Sequence, residues 1–100
     1  MSESAFLEVD PRTLPLPPSR ASGAEPGTLQ RQIAVYGTSV DGMPALWVYR
    51  GFDGALMIYD GVTRATRVAN LLPGTHVRVE VIGALTTPCG HLPTVGEQSP

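Results

Sequence analysis

Between Leu56 and Leu72 the sequence leaves a strand and enters a helix with almost nothing in between, and that junction limits the local fold severely. Leu56, Ile58 and Tyr59 make an apolar strand end that runs into Asp60-Gly61. Ala65, Val68, Ala69 and Leu72 then recur at helical spacing, so an amphipathic helix starts directly after the glycine. Its opening turn carries Thr63 and Arg64, with Arg67 one turn on. A helix N-terminus presents unpaired N–H groups and a partial positive charge, so an arginine there costs roughly a few tenths of a kcal/mol unless an anion is near. Asp60 can supply part of that charge, and a bound phosphate would supply it better.

The flanking segments extend the pattern. Phe6 to Val9 reads as a first strand, stopped by Asp10-Pro11. Residues 11–27 contain Pro11, Pro15, Pro17, Pro18 and Pro26 with Gly23 and Gly27, too many breakers for a regular element. Thr28 to Tyr36 predicts one short helix with Leu29, Ile33 and Tyr36 on a common face, ended by Gly37. Residues 45–49 and 55–59 are two β-rich runs joined by Gly51-Phe52-Asp53-Gly54, which predicts a hairpin. Pro73-Gly74 closes the second helix, and 76–82 alternates with Val77, Val79 and Val81 turned inward.

Past Gly83 the composition shifts to Pro88, Gly90, Pro93, Gly96 and Pro100 without an aromatic residue. The expected organisation is a domain over 1–85 and a flexible tail or linker over 86–100. The expected fold is α+β, a small mixed β-sheet covered by two short helices. Either the hairpin edge or strand 77–82 could pair with a second chain.

One hundred residues, 42% of them hydrophobic, suit a single small domain. A net charge of −2 gives no general attraction to nucleic acid or to an anionic membrane. All seven basic residues are Arg, which suits phosphate or carboxylate contacts but also follows from a GC-rich coding sequence. Cys89 is the only cysteine, so no internal disulfide can form, and Cys89 with His91 is at most a fragment of a metal site. No metal ligands are assigned. The longest apolar run, near Ala45–Tyr49, is too short to span a bilayer, and Met-Ser-Glu-Ser lacks the features of a secretory signal. A cytoplasmic address is the expectation, although a domain cut from a longer exported protein would read the same.

The order of elements, with Pro18-Ser19-Arg20, Pro44-Ala45-Leu46-Trp47-Val48, Asp53-Gly54, Asp60-Gly61-Val62-Thr63-Arg64 and the alternating valines at 77–82, resembles the ParB/sulfiredoxin-like domain over roughly residues 5–83. In that family the Gly-x-x-Arg turn and the arginine of Pro-x-Arg handle phosphate. The resemblance implies a phosphate- or nucleotide-binding site formed by Arg20, Asp60, Gly61, Thr63 and Arg64, in a domain of the kind attached to bacterial toxin or nuclease systems. A nucleotide is the implied ligand, and Asp60 is the residue that could bring a divalent metal.

The departures are specific. Val62 stands where sulfiredoxins need cysteine, so that chemistry is excluded. Thr63 stands where many members carry histidine, and a threonine hydroxyl is no general acid–base near neutral pH. Val62 and Thr63 also break the ParB pattern, and nothing after residue 83 could form a DNA-reading helix-turn-helix. A degenerate member that binds without turnover is the favoured reading, with no catalytic residue assigned. The alternative is a catalytically inert protein-interaction module of the accessory or immunity type. Asp60 reads equally as a helix N-cap, and Arg67 as a solvated helix residue. Asp10 and Glu8 read as turn and surface residues, and Trp47, Tyr49 and Tyr59 as sheet packing rather than a base-stacking platform.

Overall fold

A computed structural model describes residues 5–98. The chain forms β1 (Ala5–Val9), α1 (Pro26–Tyr36), β2 (Leu46–Arg50), β3 (Leu56–Asp60), α2 (Val62–Leu71), β4 (Val77–Ala84) and a single turn, α3 (Val95–Gln98). The four strands make one mixed sheet in the order β1-β4-β2-β3. Strand β4 pairs antiparallel with β1 and parallel with β2, while β2 and β3 form the antiparallel hairpin. The α+β class and the small mixed sheet with short helices are therefore as expected.

The hairpin closes through Gly51, whose N–H donates to Ala55 O at 2.7 Å. The parallel β2–β4 pair follows from the crossover through β3 and α2, which returns the chain along its earlier direction. This places β4 inside the sheet. Strand 77–84 therefore offers no edge to a second chain.

One face of the sheet carries the core. Leu46, Val48, Ile58, Val77 and Val79 meet Val62, Ala65, Val68 and Ala69 of α2, all buried. Helix α1 lies against α2 and buries Leu29. It begins two residues earlier than expected, because Glu25 caps it. The Glu25 carboxylate accepts from Gly27 N at 3.0 Å and from Thr28 N and Oγ1, both at 2.7 Å. Those bonds, led by the Thr28 hydroxyl, lower its pKa to about 2. Gly37 ends the helix as expected, with φ +56° and its N–H on Ile33 O.

The other sheet face is open. Strand alternation puts Phe6, Glu8, Trp47, Tyr49, Met57, Tyr59, Arg78 and Glu80 on it. Trp47 stacks on Tyr59 at 6.5 Å between ring centroids, and Tyr49 meets Tyr59 edge-on at 5.5 Å. These rings pack on one another while Trp47 and Tyr59 stay about half exposed. They are a surface cluster, outside the core.

Two expectations need correction. The Pro-rich segment 11–27, expected to hold no regular element, carries two short 3-10 turns and contributes to the core. Its short 3-10 turns at Pro11–Thr13 and Pro18–Arg20 flank Leu14 and Leu16, both buried. Pro15 O accepts the outward N–H of Ile58 at 3.0 Å, so this segment covers the free edge of β3 at its middle. The hairpin edge is thus obstructed at Ile58.

The stretch from 86 to 98 is docked, not a flexible tail. Leu16 N donates to Pro93 O at 2.7 Å and Val95 N to Leu14 O at 3.0 Å, and Val95 is 1% exposed. Thr94 and Glu97 cap α3 reciprocally: Thr94 N donates to Glu97 Oε1 at 2.8 Å and Glu97 N to Thr94 Oγ1 at 3.2 Å. Upstream, the Asp53 carboxylate in the hairpin loop accepts from Cys89 N at 3.1 Å and Gly90 N at 2.8 Å. Proline and glycine here make turns that return the chain to the core. Composition alone does not separate that use from disorder.

Candidate functional site

A cavity of about 200 Å³ opens between the end of α1, the 39–44 loop and α2. Two arginines line it, Arg64 and Arg67, three residues apart and so on one helical face. Asp41 is the carboxylate in the lining, which leaves the formal charges of the wall at one net positive.

Arg67 was expected to point into solvent, and it is instead 2% exposed. Its Nη1 donates to Gly37 O and Ser39 O, each at 2.8 Å, and its Nε to Gln32 Oε1 at 3.3 Å. Nη2 lies 3.5 Å from Met43 Sδ, and the guanidinium sits 5.4 Å from the centre of the Tyr36 ring. Among the described residues no carboxylate lies within ion-pair distance of it. Carbonyl dipoles at the negative end of α1 therefore hold this cation, without a counter-charge. The site needs a planar fork that reaches several acceptors at once, which explains arginine over lysine.

Arg64 is less well satisfied. Its Nη2 is 3.4 Å from Ala45 O and 3.8 Å from Asp60 Oδ2, both long. Its Nε is buried with no hydrogen-bond partner among the described residues. A buried guanidinium N–H without an acceptor costs on the order of 1–3 kcal/mol, and a ligand oxygen would remove that cost.

The expected site residues fall in two places. Asp60, Gly61, Thr63 and Arg64 are contiguous at the β3–α2 junction. Arg20 lies exposed on the 3-10 turn at Pro18–Arg20 and takes no part in lining the cavity. Gly61, not Asp60, is the N-cap of α2, with φ +113° and no side-chain cap. Asp60 is exposed, and among the described residues its carboxylate makes only the long contact with Arg64.

Gly61 is named by the resemblance as part of the phosphate site, but the space over it is filled by protein. A Cβ there would stand 2.5 Å from Leu46 Cδ2 and 3.0 Å from Arg64 Nη2. The glycine is needed for its left-handed backbone and for this close packing. Any anion must therefore enter beside Arg64 from the cavity, not over Gly61.

Arg67, Gln32, Ser39 and Met43 were missed as site residues. Arg64 and Arg67 at i, i+3 was the available signal for a shared face. The partners on the 37–43 loop had none, since their role is set by backbone carbonyls. Among the described residues no group of three or more His, Cys, Asp or Glu could hold a metal, and no helix is long and apolar enough to cross a membrane. No family model matches this chain, and no curated protein matches it.

Proposed function

We propose that this domain binds a phosphate group in the cavity between α1 and α2, with Arg64 as the side chain that meets it. One observation carries the reading: Arg64, whose buried Nε has no hydrogen-bond partner among the described residues, lines a cavity whose wall also holds Arg67, a cation with no counter-charge. The volume suits a phosphate or the phosphate end of a nucleotide, with the nucleoside left outside, since whole drug-sized ligands need about 300 Å³ or more. The element order and the Gly61–Arg64 turn support a degenerate ParB/sulfiredoxin-like domain, and with it a place in a bacterial toxin or nuclease system. The ligand is held and not turned over, since Thr63 offers no proton acceptor near neutral pH.

A second reading, an inert interaction module, is favoured by the exposed Trp47–Tyr59–Tyr49 cluster on the open sheet face. Titration with inorganic phosphate and with nucleoside triphosphates, followed by amide NMR, separates the two. Phosphate binding predicts shifts in residues 39–44 and 64–67, weakened by about 1.5–3 kcal/mol in Arg64→Ala and unchanged in Arg20→Ala. Absence of shifts at the cavity removes the phosphate reading.

A further inference from the structure

The two edges of the sheet are treated differently. At β3 the outward N–H of Ile58 is already bonded to Pro15 O. At β1 the outer edge pairs with nothing among the described residues. The unpaired strand reads Ala5-Phe6-Leu7-Glu8-Val9, with Phe6 49% and Leu7 38% exposed on opposite faces. An unprotected edge with apolar residues on both faces is a template for another strand.

We propose that β1 pairs antiparallel with β1 of a second copy of this chain, centred on Leu7, to give one continuous sheet across a two-fold axis. The strand is self-complementary in that register. Leu7 meets Leu7 on the helix side, Ala5 meets Val9, and Phe6 meets Glu8 on the open face. Charge fixes the choice of occupant. Within one chain Glu8 stands opposite Arg78, yet the Arg78 guanidinium leans over the Phe6 ring, 4.1 Å from its centre. Residues facing one another across an antiparallel pair lie about 5 Å apart at Cβ, so Glu8 of the second copy arrives beside Phe6 and under that guanidinium. The two-fold axis makes this contact twice. A nucleic acid strand would instead meet the carboxylates of Glu8 and Glu80 on the same face.

Sedimentation of the full chain over a concentration series tests this, with Glu8→Arg, Arg78→Glu and an equimolar mixture of the two. The wild type forms a dimer, and each variant alone dissociates at least about tenfold more readily, because like charges then face each other across the axis. The mixture regains the dimer, since both cross-axis contacts are again opposite in sign. A role of Glu8 and Arg78 inside one chain cannot be restored by mixing. In the unaltered wild type, amide exchange at residues 5–9 slows as concentration rises, a readout that needs no variant. A wild type that stays monomeric throughout overturns the proposal, as does a dimer whose variants are not rescued by mixing or whose 5–9 amides show no concentration dependence.

Discussion

Arg67 Nη1 donates to Gly37 O at 2.8 Å, which ties the middle of α2 to the residue that terminates α1. The same nitrogen reaches Ser39 O, so one guanidinium fixes the end of a helix and the start of the loop that walls the cavity. The contact joins segments thirty residues apart and sets the spacing of the two helices.

Arg67→Ala is accordingly expected to lower stability by about 2–4 kcal/mol, through lost hydrogen bonds, stranded carbonyls and a void. Arg67→Lys should recover little, because one ammonium cannot span Gly37 O, Ser39 O and Gln32 Oε1. Denaturant unfolding at neutral pH measures both.

Arg64→Ala behaves in the opposite way. Its contacts are long and its Nε has no partner among the described residues, so its removal should change stability by no more than about 1 kcal/mol while weakening phosphate binding by about 1.5–3 kcal/mol. Denaturant midpoints beside phosphate titrations separate this cation from its neighbour one turn on.

Truncation after Leu85 tests the docked segment. Loss of Val95 and of the bonds to Leu14 and Leu16 exposes the core beneath the Pro-rich strap. The shortened chain should lose cooperative unfolding or drop by more than about 3 kcal/mol, and Val95→Ala alone by about 1–3 kcal/mol. A thermal melt within a few degrees of wild type would show that this segment adds nothing to the fold.

Acid should loosen the molecule at two carboxylates. Glu25, held at about 2 by bonds from the Thr28 hydroxyl and the Thr28 and Gly27 amides, has a folded pKa below its ordinary value. Asp53 is shifted in the same direction by the amides of Cys89 and then Gly90. A depressed folded pKa means stabilisation that is complete above the ordinary carboxylate range and is lost as pH falls toward the folded value. Unfolding free energy should therefore decline from about pH 5 downward, and less steeply in Glu25→Gln.

The Cys89 thiol offers an independent readout of the Asp53 clamp. Burial and then the Asp53 charge push its pKa up, so it should react slowly with a thiol reagent at pH 8. Asp53→Asn should speed that reaction at least about tenfold, by releasing the 88–90 turn and removing the charge.

Much of the fold was legible because its signals are local. Alternation at Val77, Val79 and Val81, the Asp53-Gly54 step and the helical spacing of Ala65, Val68 and Ala69 each follow from one element's own geometry. The docked segment was readable in part, since Thr94-Val95-Gly96-Glu97 has capping-box spacing that the proline content obscured. Leu14 and Leu16 lay hidden for the same reason. The spacing of Arg67 from Arg64 was legible, but its burial was not: its acceptors are carbonyls of a distant loop, and a main-chain oxygen leaves no mark on residue identity. The position of Arg64 was anticipated. The filling of the space over Gly61 by Leu46 depends on a strand fifteen residues upstream and could not be.

The bond from Ile58 to Pro15 also limits how far this protein can assemble. A sheet with two bare edges can add copies at both and grow into a fibre. Here the Pro-rich strap meets one edge at Ile58, and the strap's other side is already bonded to residues 93–95 through Leu16 N and Leu14 O. Growth by strand addition is thus confined to β1: a second copy joined there through its own β1 presents outward only its strapped β3 edge, so the segment that completes the core also works against polymers.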